Sequence, residues 1–178
     1  MIKPLGSDTL NSLYVMDAAE RKALTKEAAG LPSILVCSQA AANAVMLGGG
    51  YFNPLTGFMN VADSMSVAEK MVTTDGQFWP VPVVNVVPDA SAIGDAKRIA
   101  LLDPNVDGNP VIAIQDVVAI EEATDEQMAF MTDKVYGTDD MDHPGVAAFN
   151  STGKFFISGP IQVLNYSYFE GEFEGTFK

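Results

Sequence analysis

The sequence predicts an α+β domain built on a small barrel or curled sheet, and three observations lead there. Hydrophobic residues make up 48% and charged residues 19% of the 178, enough apolar material for a core and too little charge for wholesale disorder. Short helical patterns alternate with extended apolar runs, which gives roughly six strands and four short helices. Pro, Gly and Asn interrupt every apolar segment, so no stretch approaches the length of a membrane span. The length suits one domain, and no repeat or linker-like run marks a boundary within it.

The elements follow in order. Asp17 with Glu20 three residues on predicts a capped helix over Ala18–Ala29, stopped by Gly30 with Pro32 beyond. Ser33–Cys37 is a short apolar run of strand type, and Ser38 is placed to cap a helix Gln39–Leu47 that Gly48-Gly49-Gly50 ends. A third helix is expected over about Ser64–Val72 with a turn at Thr74-Asp75-Gly76. Beyond it the texture is β-rich. Pro80 and Pro82 confine Trp79–Val87 to an edge or irregular strand. Arg98–Leu102 and Val111–Ile120 read as paired strands joined through Asp107-Gly108. Thr124 and Gln127 form a capping box that starts a helix to about Tyr136. Lys154–Ile157 and Ile161–Tyr166 read as two strands separated by Ser158-Gly159-Pro160.

Ten basic residues stand against 23 acidic ones, a formal charge of −13 with a pI near 4.2. Such a field repels phosphate backbones and anionic headgroups, so neither nucleic acid nor membrane is expected as a partner. A lone Cys37 excludes an internal disulfide, and the first residues lack the apolar run of a signal peptide, so a cytoplasmic location is expected.

The candidate chemistry is sparse. Asp103-Pro-Asn-Val-Asp107-Gly108 matches the first half of a calcium loop, but Ile114 stands where the bidentate Glu belongs, and a hairpin turn is the better reading. The three glycines at 48–50 lack the Lys-Ser/Thr of a phosphate cradle and read as a helix end with a tight turn. His143 is the only histidine, so a triad would have to pass through it; His143-Pro144 reads first as part of a turn. Cys37 fits inert packing better than nucleophilic work. Nine carboxylates between Asp116 and Asp142 face a single Lys134, which suits a solvated acidic surface or, alternatively, Mg²⁺.

The string Gly49-Gly-Tyr-Phe-Asn-Pro-Leu-Thr-Gly-Phe-Met-Asn-Val-Ala-Asp63 resembles the Gly-Ala-Phe-x-Pro-Leu-x-Gly-Phe-Met signature in the N-terminal domain of the ATP sulfurylase (sulfate adenylyltransferase) family. Similar stretches follow in the same order: Asp75–Pro82, Ile99–Leu101, Val135–Thr138, His143–Val146 and Ser158–Ile161. The resemblance, closest to the prokaryotic enzymes, runs over essentially the whole chain. It implies a PUA-like β-barrel decorated with helices. The family joins ATP and sulfate to give adenosine 5′-phosphosulfate (APS) and pyrophosphate, usually with Mg²⁺.

The family's catalytic groups lie in a following domain, in Gln-x-Arg-Asn-Pro, His-x-x-His and Gly-Arg-Asp motifs, and none of these occurs here. No catalytic, cofactor-binding or metal residue therefore carries over. ATP and Mg²⁺ are implied for the parent enzyme, not for this chain. The expectation is a non-catalytic N-terminal domain over 1–178, with 167–178 as a possible linker to the catalytic domain. That domain is its expected partner, in cis or in trans, within a homo-oligomer; the alternative is a free-standing PUA-like protein-binding or regulatory module. Tyr168, Phe169, Phe173 and Phe177, aromatic residues set among acidic ones, are the candidate interdomain or subunit surface. Packing of these rings on the domain's own barrel stays open beside that reading.

Overall fold

The computed structural model describes residues 3–169. Among the described residues, five helices surround a curled seven-stranded sheet. In chain order they are α1 Ala18–Ala28, β1 Ser33–Leu35, α2 Ser38–Gly48, β2 Gly57–Phe58, α3 Val61–Lys70, β3 Val86–Val87, β4 Arg98–Leu102, β5 Val111–Asp116, β6 Ala119–Glu122, α4 Asp125–Tyr136, α5 Pro144–Ser151 and β7 Phe155–Val163.

The sheet is organised by β7. Its path runs β1-β4-β5-β7-β2, and β3 and β6 also pair with β7. The first half of β7 lies antiparallel to β6 (Ala119↔Ser158 to Glu122↔Phe155) and to β3, and the second half to β5 (Ala113↔Val163 to Gln115↔Ile161) and β2. The change of partner falls at Gly159, whose φ is +137°. A Cβ there would stand 2.1 Å from the Asp116 carbonyl oxygen, so only glycine lets the strands approach while β7 bends.

Alternation along the strands sets both faces. Ile99, Leu101 and Ala113 face the main core with Ala41, Ala44 and Val45 of α2, whose small side chains let that helix lie close. Ala100 and Ile114, register partners, face the opposite way with Val15, Ala28 and Leu164, under α1. Phe156 anchors a third cluster with Val61, Val86, Ala123, Met128 and Met131, between the sheet and helices α3 and α4. Burial on both faces explains the nearly continuous apolar runs of β4 and β5.

Local signals are realised where the chemistry is local. The Asp17 carboxylate accepts from Glu20 N at 2.8 Å, and the Thr124–Gln127 capping box is formed in both directions, at 2.9 and 3.2 Å. Other elements differ from the sequence-based expectation. The cap of α2 is Cys37, not Ser38, with its sulfur accepting from Ala40 N. Helix α3 begins at Val61 because Asn60 caps it at 2.7 Å, and it ends at Lys70 with Met71 left-handed. Ser64, expected as the start, lies inside, bonding back to the Asn60 carbonyl.

The expected strand 111–120 is two strands turning a corner at Val117-Val118, whose N–H groups reach Lys97 and Ser158 carbonyls. The expected pair around Gly159 is instead one strand, β7. A fifth helix, α5, occupies the expected turn after His143, with Pro144 in its first turn. Residues 79–87 are mostly irregular and β3 is two residues long; β2 was not expected at all. The irregular segment is held by side chains: Asn85 Nδ2 donates to Gln115 Oε1 (3.0 Å) and Gln115 Nε2 to the Ile157 carbonyl (2.8 Å), all buried. Among the described residues no helix is long and apolar enough to cross a membrane.

Candidate functional site

An uncharged cleft of about 810 Å³ opens between the N-terminal segment, the turn after α2 and Trp79-Pro80. Leu5, Leu10, Met16 and Tyr51 border it, and Leu10 and Met16 are 61% and 74% exposed. Below them Tyr166 stacks on Tyr14 with centroids 4.3 Å apart, and Phe52 meets Trp79 edge-on at 5.5 Å. The Arg21 guanidinium covers Tyr14 at 4.9 Å and donates to the Val15 carbonyl.

The outer wall is clamped by Asn53, which is buried. Its Nδ2 donates to the Leu5 carbonyl (2.7 Å) and Ser7 Oγ (2.8 Å), while its Oδ1 accepts from Asn11 N (2.9 Å). Ser12 Oγ adds a bond to the Gly48 carbonyl at 2.5 Å.

A second cleft, about 570 Å³, is more polar and is lined mainly by residues that follow Asn53 in the chain. Asp63 Oδ1 accepts from Thr74 N (2.9 Å) and Thr74 Oγ1 (2.6 Å), and the Asp75 carboxylate accepts from the Thr73 hydroxyl. That hydroxyl, followed by the Gln77 N–H, holds the Asp75 carboxyl below the usual carboxylate range. Thr73→Val is expected to raise the Asp75 pKa toward its ordinary value, read from the pH titration of its side-chain ¹³C shift. Because the folded pKa is depressed, the linked stability is present above the unfolded pKa and lost as pH falls through the folded one. The stability gap between wild type and Thr73→Val should therefore close on acidification; identical Asp75 titrations in the two proteins would refute the assignment.

Three of the strings singled out in the sequence converge here, those at 49–63, 75–82 and 158–161, whereas 99–101, 135–138 and 143–146 lie elsewhere. Gly49–Asn53 line the uncharged cleft and Pro54–Met59 with Asp63 the polar one; Trp79-Pro80 belong to the first, Asp75, Gln77, Gly159 and Pro160 to the second. Sequence reasoning missed Leu5, Leu10, Met16 and Asn53 as cleft residues. Asn53 lies within the recognised string, but its contacts come from residues more than 40 positions away.

The other candidates do not assemble. Cys37 is a half-buried helix cap; His143 is exposed and its Nδ1 caps α5 by accepting from Val146 N at 3.3 Å. The carboxylates of 116–142 are dispersed: Asp116 pairs with Arg98, Glu122 with Lys154, and Glu121 accepts from Val61 N. Asp103 closes the β4–β5 turn by accepting from Asn105 N, and Gly48–Gly50 end α2, as the turn readings expected. Tyr168 is exposed and stacks on Phe169 at 4.3 Å, while Phe169 is half-buried against the main core, so the pair divides between surface and barrel. Phe173 and Phe177 lie outside the described residues.

Arg98 is held by Glu27, Asp116 and Gln162, Arg21 by backbone carbonyls and Tyr14, and no group of three or more His, Cys, Asp or Glu side chains suited to a metal exists among the described residues.

Comparison with known proteins adds three findings. A family model described as a PUA-like domain matches residues 2–166. The sulfate adenylyltransferases of Allochromatium vinosum and Alcanivorax borkumensis are 58% and 57% identical over 178 residues, all of this chain but 45% and 44% of those proteins. The solved structure of a hexameric APS kinase from Thiobacillus denitrificans superposes with a TM-score of 0.64 at 25% identity, over 93% of this chain and 27% of that one. The chain thus spans less than half the length of the curated relatives it matches.

Proposed function

Since the chain belongs to the PUA-like domain family, we propose that it serves as the N-terminal, non-catalytic domain of a sulfate adenylyltransferase. The observation that carries this reading is the match itself: identity of 57–58% along the whole chain, to enzymes more than twice as long. The arginines support it, because both guanidinium groups are already engaged within the described residues, Arg98 by Glu27, Asp116 and Gln162 and Arg21 by a backbone carbonyl.

In this reading ATP, Mg²⁺ and sulfate are handled by the adjoining catalytic domain in the cytoplasm. This domain shapes and supports that partner, with Tyr168 among the surface residues facing it. Assembly as a homo-oligomer is part of the proposal, supported by the hexameric state of the Thiobacillus denitrificans APS kinase.

The test is adenylyl transfer. The purified chain, given ATP, Mg²⁺ and sulfate, should release no pyrophosphate above the uncatalysed background. Substituted for the matched share of the Allochromatium vinosum enzyme, it should support sulfate-dependent pyrophosphate release. Turnover by the isolated chain at about 1 s⁻¹ or faster, the ordinary range for enzymes, overturns the proposal.

A further inference from the structure

We infer that the uncharged cleft receives an apolar segment of the adjoining part of the sulfate adenylyltransferase, seated against Leu5, Leu10 and Met16 over the Tyr14–Tyr166 stack. The inference rests on the functional reading above and locates the surface through which that function is exerted.

Three observations lead to this occupant. The chain carries ten basic and 23 acidic side chains, yet among the described residues no charged one lines the cleft. An occupant held by ion pairs is thereby disfavoured, and one that buries apolar surface is favoured. Next, the wall is built in advance. Asn53 uses both ends of its amide to hold the segment around Leu5–Asn11, and the Leu5 and Leu10 side chains stay half or more exposed on it. Ordering that segment before a partner arrives lowers the entropic cost of docking. Lastly, the relatives contain a further body of more than half their length beside the share matched here, large enough to cover the cleft. A second copy of this chain fits less well, because each copy brings a charge of −13 to the encounter.

Methionine oxidation tests this without any variant. Met16 and Met141 are 74% and 58% exposed, and Met141 lies outside the cleft lining. In the isolated chain both thioethers should be oxidised by dilute hydrogen peroxide at similar rates, followed by mass spectrometry. In the joined protein made with the Allochromatium vinosum remainder, Met16 should react roughly tenfold more slowly while Met141 stays fast. Leu10→Asp in the joined protein should restore Met16 reactivity by placing a carboxylate in the apolar contact.

Equal Met16 rates in the isolated and joined proteins, with the joined protein active, overturn the cleft assignment and leave the functional reading standing. Concentration-dependent shielding of Met16 in the isolated chain assigns the cleft to a second copy and also overturns the inference. Selective shielding of Met16 in a joined protein that lacks activity supports the docking and counts against the functional reading.

Discussion

Gly159→Ala should destabilise the chain by on the order of 3 kcal/mol or more, lowering its thermal midpoint by about 6–12 °C. Two costs combine. The residue has φ of +137°, which an alanine adopts only with strain, and the new Cβ would stand 2.1 Å from the Asp116 carbonyl oxygen. Backbone atoms occupy that space, so no rotamer change relieves the clash, and β5 must move away from the bend in β7. A control separates the terms. Gly76 also has positive φ (+92°), but nothing lies within 4 Å of its would-be Cβ. Gly76→Ala should therefore cost only the conformational term, about 1 kcal/mol. Equal losses in circular-dichroism melts of the two variants would show that the close approach at Gly159 contributes nothing.

Phe156→Ala is expected to cost about 3–5 kcal/mol, the range for deleting a fully buried aromatic ring. Phe156 has no exposed surface and packs with Val61, Val86, Ala123, Met128 and Met131, so the vacated space is bounded by several elements at once. Collapse of one wall would leave another unsupported, which keeps the cavity open. Phe156→Leu refills most of it and should recover at least half of the loss in urea denaturation. If Leu and Ala cost the same, the ring contributes through something other than volume. The comparison with Tyr168, exposed at 42%, is direct: Tyr168→Ala should leave stability within about 0.5 kcal/mol.

The parts of the fold legible in the sequence were those set by residues a few positions apart. Asp17 and Thr124 mark helix starts because a side-chain oxygen and an amide three residues on suffice to make the cap. Pro144 carried a comparable signal for α5, but His143 in the capping position is an unusual acceptor and concealed it. β2 and β3 were illegible because two-residue strands have no period of their own; β7 defines them. The corner at Val117-Val118 likewise answers Gly159, some 40 residues later. The family resemblance marked the chain segments 49–63 and 75–82 as similar, without revealing that they divide between two clefts. Of the aromatic tail, the acidic–aromatic pattern treated Tyr168 and Phe169 alike, whereas adjacent residues point to different surroundings and only Tyr168 remains on the outside.

The position of β7 has a consequence for biosynthesis. Four strands, β2, β3, β5 and β6, take β7 as a neighbour, and it follows all four in chain order. While a ribosome is still making the residues that precede β7, those strands lack the edge that joins them. Their apolar faces and unsatisfied backbone groups are then open to the cellular milieu. Folding of this domain is consequently a late, long-range closure rather than a sequential one, slow by the standards of its size. Nascent chains stalled before Phe155 should be the species that chaperones capture.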